Sequence, residues 1–575
     1  MKNFYLRLLL FCLLCIVGNN SYAYYDKQNV EIDGIYYNLN SSDKTAEVAS
    51  HSYSGSITIP STISYNGNNY SVTVIGNLAF EGCEDLNNIE LPNTITTIGD
   101  WAFRKCSGLK SIIIPNSVTI IGKKAFQNCT GLTNVIIPNN VTTIGYSAFY
   151  RCTGLSEIII GNHVTTIDAY AFEYCTNVTE IIIPNSVTTL GFDAFGGCEK
   201  LKEIVIPKNV TEIRGALLDG CNALEKIIVE DDNPNYDSRD NCNAIIEKST
   251  KTLLSGCKNT IIPQSVDIIG DYAFSSFRDI SNMTIPLGVI TIGKGAFWGC
   301  GLTDLDIPIS VTSVGERAFQ QCFALKSISI PLSVKSIGSN AFEGCTELTN
   351  ITSNILNPFA VDESAFQLLG DSDNPITASI NVPIGTKEKY QTTAGWNKFQ
   401  NIVEVELPDG SVDRPFNAIE AKAMTIGLAA NETSSDSYYI KGIISKINDP
   451  FSSRYGNATF GISNDGSEKN QFYIYRTNYI ENRKWQEGDV QIKVGDEVVV
   501  YGNLLNYQGK YAETGQCYLY SINGDKNPTS ILDIETCKHI DKVFYSSNGQ
   551  QRNTPLHDLT IIRMSNGTTK KVIMK

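Results

Sequence analysis

Thiols and carboxylates are the reactive side chains that this sequence sets out in a pattern. Cysteine stands at Cys83, Cys106, Cys129, Cys152, Cys175, Cys198 and Cys221, every 23 residues, and returns at Cys300, Cys322 and Cys345. A thiol held in a fixed frame can serve as a nucleophile, a metal ligand or half of a disulfide. The nucleophile needs a base, yet the four histidines, His51, His163, His539 and His557, are scattered and keep no recurring offset from cysteine. A tetrahedral metal site wants C-x-x-C or paired histidines, and neither occurs after residue 23. If the repeats stack as coils, equivalent atoms lie about 4.8 Å apart with parallel side chains. A disulfide needs Cβ atoms within about 3.5–4.5 Å and converging. The expectation is a column of free, buried thiols that act as small apolar filler.

The carboxylates Glu157, Glu180 and Glu203 recur in the same way. Three like charges in a row on an open sheet do not make an acid–base pair in a cleft. No G-x-S-x-G, Walker or H-E-x-x-H motif is present. The chain therefore reads as a non-enzyme without cofactor or metal.

The elements that must position these residues follow from one copy, Leu109–Cys129, LKSIIIPNSVTIIGKKAFQNC. Its columns repeat at Phe80, Phe103, Phe126, Phe149, Phe172 and Phe195, and later at Phe274, Phe297, Phe319 and Phe342. Proline closes the apolar run at Pro92, Pro115, Pro138, Pro184 and Pro207. A fixed period of this size with Leu-x-x-Ile-x-Ile in each copy indicates a leucine-rich-repeat solenoid, an α+β repeat fold of about 23-residue coils. Leu109, Ile112 and Ile114 alternate as a strand that joins a parallel ladder. Pro115 lacks an amide hydrogen and ends that strand. Val118 and Ile121 form a second extended segment, Gly122 supplies a turn, and Ala125, Phe126 and Cys129 return to the core. One coil cannot bury enough to fold alone, so stability comes from stacking.

The run I-P-x-x-V-T-x-I-G-x-x-A-F-x-x-C, found at Ile114–Cys129 and again at Ile137–Cys152, resembles the BspA-like leucine-rich repeats of bacterial surface and secreted proteins. The resemblance covers roughly residues 45–405. It implies attachment: partners among host matrix or cell-surface proteins, or the surface proteins of other bacteria. A repeat scaffold as such does not fix the ligand.

Positions between the inward strand residues face outward. There the chain places Ile113, Ile136, Ile159, Ile182, Val205 and Ile228, bordered two positions earlier by Glu157, Glu180 and Glu203 in the middle coils. Six coils make an aliphatic stripe on the order of 25 Å long with an acidic edge. One reading is a contact surface for a protein partner, because contiguous exposed apolar area marks interaction sites. The other is that these side chains pack beneath the neighbouring turn or express strand propensity. A threonine column, Thr119, Thr142, Thr165, Thr188 and Thr211, reads as strand filler.

The remaining chain divides by composition. Met1–Ala23 has a basic start, a short apolar stretch and a Ser21-Tyr22-Ala23 cleavage site, so it reads as a secretory signal peptide and places the product outside the cell or on its surface. Residues 24–56 cap the first coil and 57–406 are solenoid. The insert at 230–257 either extends a coil or holds calcium with Asp231, Asp232, Asp237 and Asp240; its apolar residues favour the first. Residues 380–405 form a terminal cap with Tyr390, Trp396 and Phe399. After a linker at 407–415, residues 416–525 carry a helix, Ala418–Ala429, and five strands. The phrase V-G-D-E-V-V-V-Y-G-N-L at Val494–Leu504 resembles OB-fold domains. Tyr473, Tyr475, Tyr501, Tyr507 and Tyr511 are candidates to stack a sugar or base. Residues 526–575 form a small β segment that partly resembles C-terminal sorting tails. The net charge of −14 argues against a nucleic-acid partner. A surface protein that captures glycans through the small barrel or the Trp396 cap is the alternative. No segment outside the leader is long and apolar enough to span a membrane.

Overall fold

Burial along one coil follows the sequence spacing closely. Leu109, Ile112, Ile114, Val118, Ile121, Ala125, Phe126 and Cys129 all point into the interior, and the residues between them reach solvent. The computed structural model describes residues 25–367, 376–426, 428–468 and 471–526, with the backbone of four short strands at 543–545, 551–552, 560–563 and 569–572. The leader expected at 1–23, the side chains of the tail strands and the rest of the tail lie outside the described residues. Two compact units meet between Leu407 and Pro408.

The first unit is a solenoid of about 17 turns. Its continuous ladder is not the one expected. Parallel pairing runs without a break through the second extended segment of each coil, Thr97–Ile98, Ile120–Ile121, Thr143–Ile144, Thr166–Ile167, Thr189–Leu190 and Glu212–Ile213. In this half of the solenoid the Leu-x-x-Ile-x-Ile segments pair only two at a time: Gly55–Thr58 with Leu86–Glu90, Asn134–Ile136 with Glu157–Ile159, and Glu203–Ile206 with Lys226–Val229. One gap falls at the coil of Glu180, which stands between Glu157 and Glu203. Like charges directly opposite one another disfavour a strand pair. The other gap, at the coil of Ile113, has no such charges beside it.

The third extended column runs through the turns. The Phe126 amide donates to the Ala148 carbonyl and the Phe149 amide to Ala171, each at 2.8 Å. The rings stack: Phe80, Phe103, Phe126 and Phe149 lie 5.0–5.1 Å apart and within 6° of parallel. Gly122 does not serve as a turn residue through its φ. It is needed because a Cβ there would lie 2.6 Å from the Gly99 backbone of the coil before it. The threonine hydroxyls also reach the preceding coil, as with Thr165 to the Thr142 carbonyl at 3.1 Å.

The insert keeps stacking, by substitution. Tyr236–Asp237, Ile245–Glu247 and Thr252–Ser255 form an antiparallel meander whose last strand pairs in parallel with Ile268–Ile269. Two side chains stand in for missing coil carbonyls. The Ile213 amide donates to the Tyr236 hydroxyl at 2.9 Å, and the Leu217 amide to the Ser255 hydroxyl at 3.0 Å. At the far end Tyr390 and Trp396 close the core. The Trp396 indole donates to the Phe359 carbonyl at 2.8 Å.

The second unit contains helix α1 (Ala418–Ile426) and strands β1 (Thr433–Asp449), β2 (Asn457–Ser463), β3 (Phe472–Asn478), β4 (Glu497–Tyr507) and β5 (Tyr511–Ile522). Asn417 starts the helix by accepting from the Ile419 and Glu420 amides at 3.0 Å, and the Glu420 carboxylate accepts from the Asn417 amide at 2.8 Å, a capping box. The strands close a barrel in the order β1-β2-β3-β5-β4-β1, with β3 and β5 parallel and the other pairs antiparallel. Ile440, Phe460, Ile474, Val500 and Leu519 fill it.

Candidate functional site

The alternation that buries Ile112 and Ile114 sends Ile113 outward, and the same holds coil after coil. Ile113 is 84% exposed, Ile182 70%, Ile136 59% and Ile159 47%. None of the four is covered by a neighbouring turn. The two most exposed sit in the coils without ladder pairing, where no partner strand flanks them. Ile136 and Ile159 are direct partners in their strand pair. Val205 and Ile228 also pair but are only half-buried to half-exposed. The strongly exposed stripe is therefore four coils long, about 15 Å between its ends, and shorter than the six coils expected.

Its acidic edge is uneven. Glu157, Glu180 and Glu203 are all exposed. Glu203 is paired with Lys226 at 3.1 Å, whereas among the described residues Glu157 and Glu180 take part in no ion pair. Two uncompensated carboxylates border the middle of the stripe.

The cysteine column does more than fill space. From Cys106 onward each thiol of the column donates to the carbonyl of the phenylalanine one coil back, as Cys129 to Phe103 at 3.0 Å, Cys152 to Phe126 at 3.1 Å and Cys345 to Phe319 at 3.1 Å, while Cys83 donates to the His51 carbonyl at 3.5 Å. The sequence carried this signal in the constant Phe-to-Cys offset, but it does not reveal the acceptor. All described cysteines are free and buried. Burial pushes Cys106, Cys129, Cys152, Cys175 and Cys221 up, and Cys198 to about 12, and a thiol held protonated is a poor nucleophile.

Sequence spacing also missed three carboxyls on the turn edge, Glu173, Asp193 and Asp219. Burial, then repulsion from Asp219, raises Glu173 to about 7, with Arg151 opposing. Burial, then Asp219 and Glu173, raises Asp193 to about 8. Burial raises Asp219 too, against the hydroxyls of Ser276 and Ser275. Among the described residues no group of three or more His, Cys, Asp or Glu is placed to hold a metal ion. The calcium reading of the insert fails on its own residues, since Asp237 is held by the Arg239 guanidinium through two contacts of 2.8 Å.

The terminal cap cannot stack a sugar. Trp396 and Tyr390 have no exposed surface, and the Tyr390 hydroxyl is spent on Ser353 and the Ile355 carbonyl. In the barrel, Tyr475, Tyr501 and Tyr507 line two surface depressions to which Tyr473 and Tyr511 do not contribute. Among the described residues no helix is long and apolar enough to cross a membrane.

Comparison with known proteins adds the following. The family model described as a BspA type leucine rich repeat region (6 copies) matches at residues 49–179, 165–244 and 245–369, more than half of the chain. A leucine-rich cell surface protein of Faecalibacterium prausnitzii is 25% identical, with a TM-score of 0.49 over 68% of this chain and 97% of its own. A leucine-rich repeat protein of Bacteroides ovatus is 24% identical, with a TM-score of 0.35 over 66% and 100%. The pneumococcal vaccine antigen PcpA is 15% identical, with a TM-score of 0.43 over 66% and 98%. No curated protein matches the chain.

Proposed function

The chain belongs to the BspA-type leucine-rich repeat family, and from that premise we propose that it is an exported, non-enzymatic adhesin whose solenoid holds a protein partner. The partner is a host matrix or cell-surface protein, or a surface protein of another bacterium. The contact is the stripe Ile113, Ile136, Ile159 and Ile182, continued more weakly by Val205 and Ile228 and edged by Glu157, Glu180 and Glu203. The single observation that carries this reading is four consecutive coils with an isoleucine open to solvent. Exposed apolar rows of this kind are costly to keep unless something covers them. The leader at 1–23 supports export, the barrel at 416–525 is OB-like in its five strands, and the tail serves sorting.

The test is the double substitution Ile159→Asp with Ile182→Asp, assayed against immobilised matrix proteins. Binding is expected to be lost. The thermal midpoint is expected to stay nearly the same, since exposed positions shift stability by only about 0.5 kcal/mol. Undiminished binding by the folded variant would sink the proposal.

A further inference from the structure

The barrel surface holds a cleft made by two departures from regular strand pairing. Strands β3 and β5 run parallel, yet only Tyr473 with Glu513 and Asn478 with Tyr518 are paired. Between those points side chains take the place of backbone bonds. The Tyr475 amide donates to the Thr514 hydroxyl at 3.0 Å, and the Cys517 thiol lies 3.7 Å from the Tyr475 carbonyl and 3.1 Å from the Thr514 hydroxyl. On the other edge of β5, Gly502 pairs with Cys517 and Leu504 with Thr514. Gly515 and Gln516 thus stand opposite Asn503 alone, which is a β-bulge, a device that re-aims side chains beside binding sites.

Two depressions of about 660 and 540 Å³ open over this bulge and share Tyr475, Asn503, Gly515 and Gln516. Both lie in the size range of small-molecule sites. Gly515 leaves room: a Cβ there would find its nearest neighbour, Thr433 Cγ2, only at 3.6 Å.

Glu513 is the feature that points to a ligand. It lines the larger depression and is 9% exposed, yet no hydrogen bond or ion pair reaches its carboxylate among the described residues. Its oxygens keep some open surface, and partial burial of a carboxylate without a partner is costly and raises its pKa. Hydroxyl donors from a ligand would satisfy it.

We propose that this cleft binds a neutral oligosaccharide. The carboxylate of Glu513 accepts only, or nearly so, and suits the adjacent hydroxyls of a sugar. The amides of Asn503 and Gln516 supply donors and acceptors together. The rings of Tyr475 and Tyr507, partly exposed, offer faces to the apolar side of a pyranose. The Arg476 guanidinium lies 5.1 Å from the centre of the Tyr475 ring and adds donors at the rim. A polyanion is disfavoured by the carboxylate at the base, and a purely apolar ligand by the amides and phenols around it.

The experiment uses the full chain against immobilised cello-, manno-, xylo- and chitohexaose, followed by titration calorimetry with whichever binds. At least one hexaose should bind saturably. Glu513→Gln should weaken it at least about tenfold, the size of loss that follows removal of a buried charge-assisted bond. Gln516→Ala, at an exposed position, should weaken it less while leaving the fold intact, and the solenoid double substitution should leave it unchanged. The proposal is overturned if none of the four hexaoses binds, or if binding survives both barrel substitutions. It is equally overturned if Glu513→Gln abolishes capture of an oligolysine peptide while no sugar binds, because the cleft would then take a basic side chain.

Discussion

In the solenoid every device is repeated at the next coil, whereas in the barrel the departures from regularity occur once. Phe126 stacks on Phe149 at 5.1 Å as Phe103 stacks on Phe126, and Cys152 bonds back to Phe126 as Cys129 bonds back to Phe103. Such repetition satisfies each coil with its neighbour and leaves an outer surface made of rows. Rows are long and shallow, the shape that meets another protein. The barrel's bulge at Asn503, one of several register shifts in its sheet, and its loosened seam at Tyr475 give depth to a small area. Depth suits a small ligand, because it buries most of the ligand's surface.

The largest expected break in this comparison is Phe149→Ala. The ring is stacked on both faces and fully buried, so its loss should cost about 3–5 kcal/mol. Hydrogen exchange read peptide by peptide should show lost protection in the coils around Phe149 and none in residues 433–522. Equal loss in both units would mean that the barrel does not stand on its own core.

A smaller effect concerns pH. Asp193 and Glu173 have folded-state pKa values of about 8 and about 7, above the unfolded carboxyl range near about 4. The folded state therefore holds these protons more tightly. Their contribution to stability is complete below about pH 4 and is lost as the pH rises through about 7 to 8. Asp193→Asn should raise the thermal midpoint at about pH 9, by at least about 1 kcal/mol in stability, and change it little at about pH 4. A gain that is the same at both pH values would show that the charge on Asp193 is not the cause.

The smallest effect is Cys152→Ala. It removes a thiol–carbonyl bond and a sulfur's worth of packing, about 1–2 kcal/mol, and should lower the denaturation midpoint modestly. In the native wild-type chain the buried thiols should resist iodoacetamide at neutral pH and react once denatured, as mass spectrometry would read. Prompt labelling of the folded protein would contradict the burial of the column.

The period of the Phe, Cys and Ile columns was enough to place the core residues of each coil, because burial depends on which way a side chain leaves the backbone. It was enough, too, to find the outward isoleucines. It could not tell which extended segment carries the continuous ladder, since Leu-x-x-Ile-x-Ile and Val-Thr-x-Ile are equally good strands taken singly. That choice is made between coils, and the like charges of Glu157, Glu180 and Glu203 bear on only one of the two gaps. Nor could it show that Val205 and Ile228 are partly covered, for coverage of an outward position depends on neighbours that the repeat period does not specify.

The sequence by itself determined the coil, its period and its apolar face, because these are properties of a repeating chain of fixed side-chain direction. The tertiary structure alone decided the rest. Cys152 meets the Phe126 carbonyl, Tyr236 replaces a missing coil at Ile213, Trp396 is sealed inside its cap, and Glu513 is left unpaired in a cleft. Each of those outcomes depends on residues brought together from distant parts of the chain. Hydrogen bonding and burial are properties of that meeting, so neither can be assigned to a residue before its neighbours are known.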